Sequence, residues 1–322
     1  MRRMFLLIVL AAVTIGPWPA AAQQRVFISI ATGGTAGVYF PIGAALAELW
    51  TGKVPNVQAT AQTSGASLVN LRLLQRSDVA VAMVQNDTAY YAFHGTEMFM
   101  DRIANKPQPF DALRGMAMLY PETIQVVTLR SKNINSIADL KGKRLAVGAP
   151  GSGTEVNARQ ILRAHELGYY NTRPDFLNFA EAADQLKDGV VDAAFLTAGF
   201  PTAAVQDIAA NRDLKIVPVS REVADGLRTQ YPYYTAVTIP PNTYRGQTEA
   251  VDTVAVMAML VTRQDVEENL VYSLVSAMWE NLERLRSAHA RGRDITTGSA
   301  RRGMPITMHS GALRYYRERG IR

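Results

Sequence analysis

The sequence predicts an α/β protein of two similar lobes with a ligand cleft between them, and three observations carry that expectation. The chain has 322 residues, more than a single hydrophobic core usually needs. Short apolar runs alternate with helical patterns along most of it, as in a mainly parallel sheet flanked by helices. One local order also occurs twice: an apolar run, a small glycine-rich stretch, then a helix. The two stretches are TGGTAG at Thr32–Gly37 and APGSGTE at Ala149–Glu155.

In the first half, Val26–Ile30 is a β-rich run ending at Thr32-Gly33-Gly34, and Pro41 opens a helix over Ile42–Trp50. Val57–Thr63 alternates as a second strand and stops at Ser64-Gly65. Leu68, Leu71 and Leu74 give Ser67–Gln75 helical spacing, and Val79–Val84 is continuously apolar, suited to a strand buried on both faces. It ends in the polar Gln85-Asn86-Asp87. Ligands of such sheets gather at the carboxyl ends of the strands.

A second lobe is expected to begin near residue 122, with a strand over Ile124–Leu129 interrupted by Pro121. A short helix at Ser136–Lys143, a strand at Arg144–Val147 and the second glycine loop follow, then a helix over Glu155–Glu166 stopped by Gly168. Ala180–Asp188 reads as helix, Val190–Leu196 as a buried strand, and Thr197–Pro201 as a loop before another helix. Tyr231–Ile239, followed by Pro240-Pro241, reads as an extended segment crossing back between lobes. Asp265–His289 is the longest helical pattern and is expected to pack on the first lobe, with a helical tail at Gly311–Arg319. The expected division is residues 1–22 as a leader, 23–121 and 237–322 as the first lobe, and 122–236 as the second.

The leader reading rests on Arg2 and Arg3, the apolar Met4–Ile15 and the small residues Ala20-Ala21-Ala22. It predicts cleavage after Ala22, a periplasmic location and no stable membrane insertion afterwards. No later apolar stretch is long enough to span a bilayer; Val251–Val261 is too short. With no cysteine in the chain, disulfides, thiol nucleophiles and zinc–thiolate sites are excluded. Removing Arg2 and Arg3 leaves 32 Lys and Arg against 28 Asp and Glu, so the formal charge falls from +6 to +4. Much of the excess lies near the C-terminus with no aromatic interleaving, which fits a solvated face and predicts no nucleic-acid partner.

A helix N-terminus offers unpaired N–H groups and the positive end of the helix dipole, and glycines let an anion approach it closely. Gly151-Ser152-Gly153-Thr154 adds two hydroxyls, a fair carboxylate cradle; Thr35 does the same in the first loop, with Tyr39 one turn on. The plainer reading is that the glycines make tight turns and the hydroxyls cap helices. Nucleotide motifs fail: Thr154 stands where a P-loop needs lysine, and no Gly-x-Gly-x-x-Gly is completed. The four histidines have no metal-ligand spacing, and Ser152 lacks the Gly-x-Ser-x-Gly elbow. The chain is therefore expected not to be an enzyme and to need no cofactor and no metal.

The stretches ATGGTAGVYFPIGAALAEL from Ala31, QTSGASLVNLRLL from Gln62, VAMVQNDTAYYA from Val81, GAPGSGTEVNARQIL from Gly148, DGVVDAAF from Asp188 and HSGALRYYRERG from His309 resemble the TAXI-type solute-binding subunits of tripartite ATP-independent periplasmic (TRAP) transporters. Ser310 departs from that pattern, where relatives often carry proline. The resemblance implies a two-lobed type II periplasmic binding protein fold and delivery of a small organic acid, a glutamate-like amino acid, keto acid or dicarboxylate, to TRAP-type membrane permease subunits. It also implies ligand contacts at Gly34, Thr35, Tyr39, Ser64, Gln85, Ser152, Gly153 and Thr154, and second-rank contacts at Asn86, Asp87 and Phe200. No arginine falls in a motif loop, so backbone N–H groups and hydroxyls are expected to carry an anionic ligand's charge. The ligand-binding component of a periplasmic sensor, or an enzyme on the same fold, stands as the alternative.

Overall fold

The computed structural model describes residues 25–101 and 103–321. The leader and its cleavage point lie outside the described residues. Among those described, no helix is long and apolar enough to cross a membrane.

The chain begins with β1 (Val26–Ala31), α1 (Tyr39–Lys53), β2 (Val57–Gln62), α2 (Ser67–Gln75), β3 (Val81–Gln85) and α3 (Asn86–His94). A small hairpin of β4 (Met100–Asp101) and β5 (Lys106–Pro107) precedes the long β6 (Leu113–Leu129). Next come β7 (Arg144–Ala146), α4 (Gly153–Ala164), β8 (Arg173–Asp175), α5 (Phe179–Lys187), β9 (Ala193–Ala198), α6 (Ala203–Asn211), β10 (Leu214–Val217), α7 (Arg221–Gln230) and β11 (Thr235–Ile239). The long β12 (Val251–Arg263) leads to α8 (Glu268–Glu280), α9 (Leu282–Ala288) and α10 (Ser310–Glu318).

One hydrogen-bonded sheet runs through both lobes in the order β2-β1-β3-β12-β6-β9-β7-β8, with β10 on β6 and β11 on β12. Two antiparallel strands carry it between lobes. The C-terminal half of β12 pairs with β3, and its N-terminal half with β11. The C-terminal half of β6 pairs with β9 and β10. Each lobe buries both faces of its part of the sheet. In the first lobe one face meets α1 and the C-terminal helices through Ile42, Trp50, Leu274 and Tyr316, and the other meets α2 and α3 through Leu71, Leu74 and Ala89. The second lobe repeats this with α4 and α7 on one side and α5 and α6 on the other.

Three expectations are corrected. Tyr231–Ile239 is not the crossing segment: Thr235–Ile239 is the strand β11, antiparallel to β12, and β12 itself makes the return. That strand lies in the apolar stretch considered above only for membrane length. The strand at Ile124–Leu129 is not interrupted by Pro121 but belongs to the unbroken β6. A proline lacks the N–H a ladder needs, yet Pro121 faces Met257 beside a register shift, where the ladder is already irregular and the Met257 N–H donates to Asn86 Oδ1 at 2.9 Å. The helix expected over Asp265–His289 breaks at Asn281, whose Nδ2 donates to the Ala277 carbonyl at 2.8 Å and leaves helical backbone angles. Its packing on α1 is as expected, with Trp50 Nε1 donating to the Leu274 carbonyl at 2.9 Å.

Candidate ligand-binding cleft

The two glycine loops face each other between the lobes. The first joins β1 to α1 and the second joins β7 to α4, so each presents backbone at the carboxyl end of a parallel strand. Between them lies a cavity of about 760 Å³, large enough for a small organic molecule. It is lined by Gly34, Thr35, Tyr39, Ser64, Gln85, Ser152, Gly153 and Thr154, all eight first-rank residues.

Their side chains are not equally available. The Ser64 hydroxyl donates toward the Thr32 carbonyl at 2.9 Å and Asn70 Oδ1 at 2.5 Å, and accepts from the Ala66 N–H at 3.0 Å; it shapes its turn. Ser152 is the N-cap of α4 and accepts from the Glu155 N–H at 3.2 Å, the plainer role considered for it. Capping by Ser152 meets the N–H of Glu155, and those of Gly153 and Thr154 belong to the first turn, where a helix has no carbonyls of its own to offer. Thr35 is exposed to the cleft. The Tyr39 hydroxyl donates to Glu122 Oε2 at 2.7 Å.

The second-rank residues do not line the cavity. Asn86 is buried and holds the register shift in β12 through Met257. Phe200 lies under the Arg291 guanidinium, 4.5 Å from ring centre. Asp87 is fully buried and accepts from Asn157 Nδ2 at 2.9 Å. Asn157 also donates to the Tyr234 hydroxyl, which donates to Gln160 Oε1 at 2.6 Å, whose Nε2 reaches the Tyr91 hydroxyl at 3.0 Å. This buried polar chain ties α3 of the first lobe to α4 of the second.

Burial pushes the Asp87 carboxyl up from 3.8 to about 6, against the hydrogen bonds from Thr88 and Asn157. The folded protein therefore holds a proton that the unfolded chain has released between these values. Asp87's contribution to stability is fullest below about pH 4, falls as pH rises toward 6 and levels off above it. Asp87→Asn, neutral throughout, is expected to remove that decline, worth up to about 3 kcal/mol. Urea unfolding from about pH 4 to 8 reads it; parallel stability curves for the two proteins would refute it.

The sequence reading missed Glu122, Thr197, Phe176 and Phe179, all of which line the cavity. Glu122 had a signal: it is a carboxylate inside the long apolar run MAMLYPETIQVV. Phe179 had none. It opens α5 in the second lobe, yet packs against core clusters of both lobes and beside Gly37.

The lobes already touch across the cleft. The Gly151 carbonyl accepts from the N–H groups of Leu68 at 3.0 Å and Val69 at 3.3 Å, in the first turn of α2. Reciprocally, the Ala36 carbonyl accepts from the Ala204 N–H at 3.2 Å in the first turn of α6. Each glycine loop thus completes a helix of the opposite lobe. Gly151, with φ at +77°, is in the left-handed region that glycine alone adopts without strain. Gly153 serves close approach: a Cβ there would stand 1.9 Å from Gln85 Oε1.

This architecture is the two-lobed fold of periplasmic binding proteins. The fold matches the alkanesulfonate-binding protein SsuA from Xanthomonas axonopodis pv. citri, solved with bound MOPS, at 13% identity and a TM-score of 0.50, covering 91% of this chain and 84% of that one. A protein of Bordetella bronchiseptica RB50 matches at 17% identity and a TM-score of 0.54, covering 91% and 82%. By sequence the chain belongs to the NMT1-like family, which it matches over residues 30–320.

Proposed function

We propose that this protein is the periplasmic solute-binding component of a transporter, of the TAXI type. It captures a small organic acid between its lobes and presents the closed form to a TRAP-type membrane permease. The observation that carries the reading is the cavity between two glycine loops that cap each other's lobes, because a ligand held there favours the closed form by touching both sides. The ligand contacts in this reading are Gly34, Thr35, Tyr39, Gln85, Gly153 and Thr154, with the first-turn N–H groups of α4 on the carboxylate. The SsuA relative, whose description names alkanesulfonate binding, takes an organic anion as well.

The test is a thermal-shift screen of the chain from Gln23 onward against amino acids, keto acids, dicarboxylates and sulfonates, paired with mass spectrometry of small molecules released on denaturation. A selective rise in melting temperature of several degrees, weakened by Thr35→Ala and by Thr154→Ala, is the expected result. A chain that responds to nothing and releases nothing overturns the proposal.

A further inference from the structure

The charge inventory of the cleft is one-sided. Among the described residues lining the cavity none is lysine, arginine or histidine, and two, Glu122 and Glu181, are glutamates. Glu181 is exposed and its Oε2 accepts from the Asn178 N–H at 2.9 Å, closing the capping box of α5. Glu122 is different: it is 3% exposed, on the strand that passes between the lobes, and among the described residues its carboxylate has only the Tyr39 hydroxyl as hydrogen-bond partner. Two of the residues that line the cavity, Gln85 and Thr197, each hold a buried oxygen, Oε1 and Oγ1, with no partner among the described residues.

We propose, resting on the solute-capture reading above, that Glu122 is a specificity-determining residue that pairs with a protonated amine on the ligand. The cleft then selects amino-acid zwitterions over keto acids and dicarboxylates of the same carbon skeleton. Its two ends divide the work: helix N-termini take the carboxylate, and Glu122, helped by Gln85 Oε1, takes the ammonium. A second carboxylate placed against an ionised Glu122 would set two anions together with no cation to offset them, so Glu122 would have to take up a proton first. A keto oxygen would face acceptors where donors are needed.

Burial holds the Glu122 carboxyl well above the usual range, with the Tyr39 hydrogen bond opposing and the nearby Asp87 adding to the rise. An ammonium in contact favours the ionised form again. If Glu122 instead stayed neutral and donated to a keto oxygen, glutamine would serve as well, which makes Glu122→Gln the discriminating variant. Glutamine also keeps an oxygen for the Tyr39 hydroxyl.

The experiment is calorimetric titration of the chain from Gln23 onward, wild type and Glu122→Gln, with L-glutamate against 2-oxoglutarate and L-leucine against its 2-oxo acid. Wild type is expected to prefer the amino member of a pair. Glu122→Gln should weaken that member about 100-fold and bind the keto member at least as tightly as wild type does, because the glutamine amide supplies a donor. A wild type that prefers the keto acid, or a folded Glu122→Gln that keeps the amine preference, overturns the inference and leaves solute capture standing. If neither pair binds, molecules released on denaturation decide: an amine supports the inference, an amine-free acid overturns it. Release of nothing, with no thermal response to any acid, overturns solute capture and this inference with it.

Discussion

Gly153→Val is expected to lose ligand binding by about 10- to 100-fold while remaining folded. The reason is steric and local to closure. In the closed form a Cβ at position 153 would meet Gln85 Oε1 at 1.9 Å and Gln85 Cδ at 2.4 Å, and Gln85 comes from the other lobe. Gln85 itself is 2% exposed and has little room to move away. Overpacking of this kind costs about 1–3 kcal/mol, and here it falls on the closed state alone, because separated lobes remove the contact. A binding-competent population reduced by that factor lowers the apparent affinity equally. Small-angle scattering should show wild type compact and the variant extended with the same ligand present, with ligand-free melting temperatures within a few degrees. A Gly153→Val protein that is equally compact, or binds as wild type does, would remove Gly153 from the account of closure.

Trp50→Ala is expected to give the largest stability loss, about 3–5 kcal/mol. Among the described residues Trp50 is the largest side chain with no exposure, set on α1 between the sheet and the C-terminal helices. Its indole N–H also links α1 to α8 through the Leu274 carbonyl. Truncation leaves a cavity under helices that arrive from the far end of the sequence, so α8, α9 and α10 should loosen first. Trp50→Phe keeps most of the apolar volume and should lose less than half as much. Urea denaturation of the three proteins measures both, and an alanine variant within 1 kcal/mol, roughly, of wild type would contradict the packing argument.

Both glycine loops, the strands that precede them and the helices that follow were legible because turn chemistry and helix capping are written in neighbouring residues. The eight first-rank candidates line one cavity for the same reason: residues at the carboxyl ends of parallel strands share an edge of the sheet. What escaped was non-local. A strand such as β12, buried along most of its length, shows no alternation, so its apolar run carries no sign of what it pairs with. Pro121 looked like a break because the side chain that serves the opposite backbone, Asn86, is distant in sequence. The polar Asn86 and Asp87 at a strand end looked like ligand contacts, yet both are engaged by the neighbouring strand and lobe. Glu122 stood out only as a charge among apolar residues, and its place in the cleft depends on where two lobes meet.

The reciprocal capping across the cleft gives this protein a backbone record of its own conformation. Among the described residues, the amide protons of Leu68, Val69 and Ala204 find their carbonyl partners across the cleft, in the opposite lobe. On the solute-capture proposal, their exchange with solvent deuterium is expected to follow how often the cleft opens, independently of any dye, label or substituted side chain. Slow exchange at these three positions, set beside fast exchange elsewhere on the cleft rim, would give the opening equilibrium as a free energy, with and without solute.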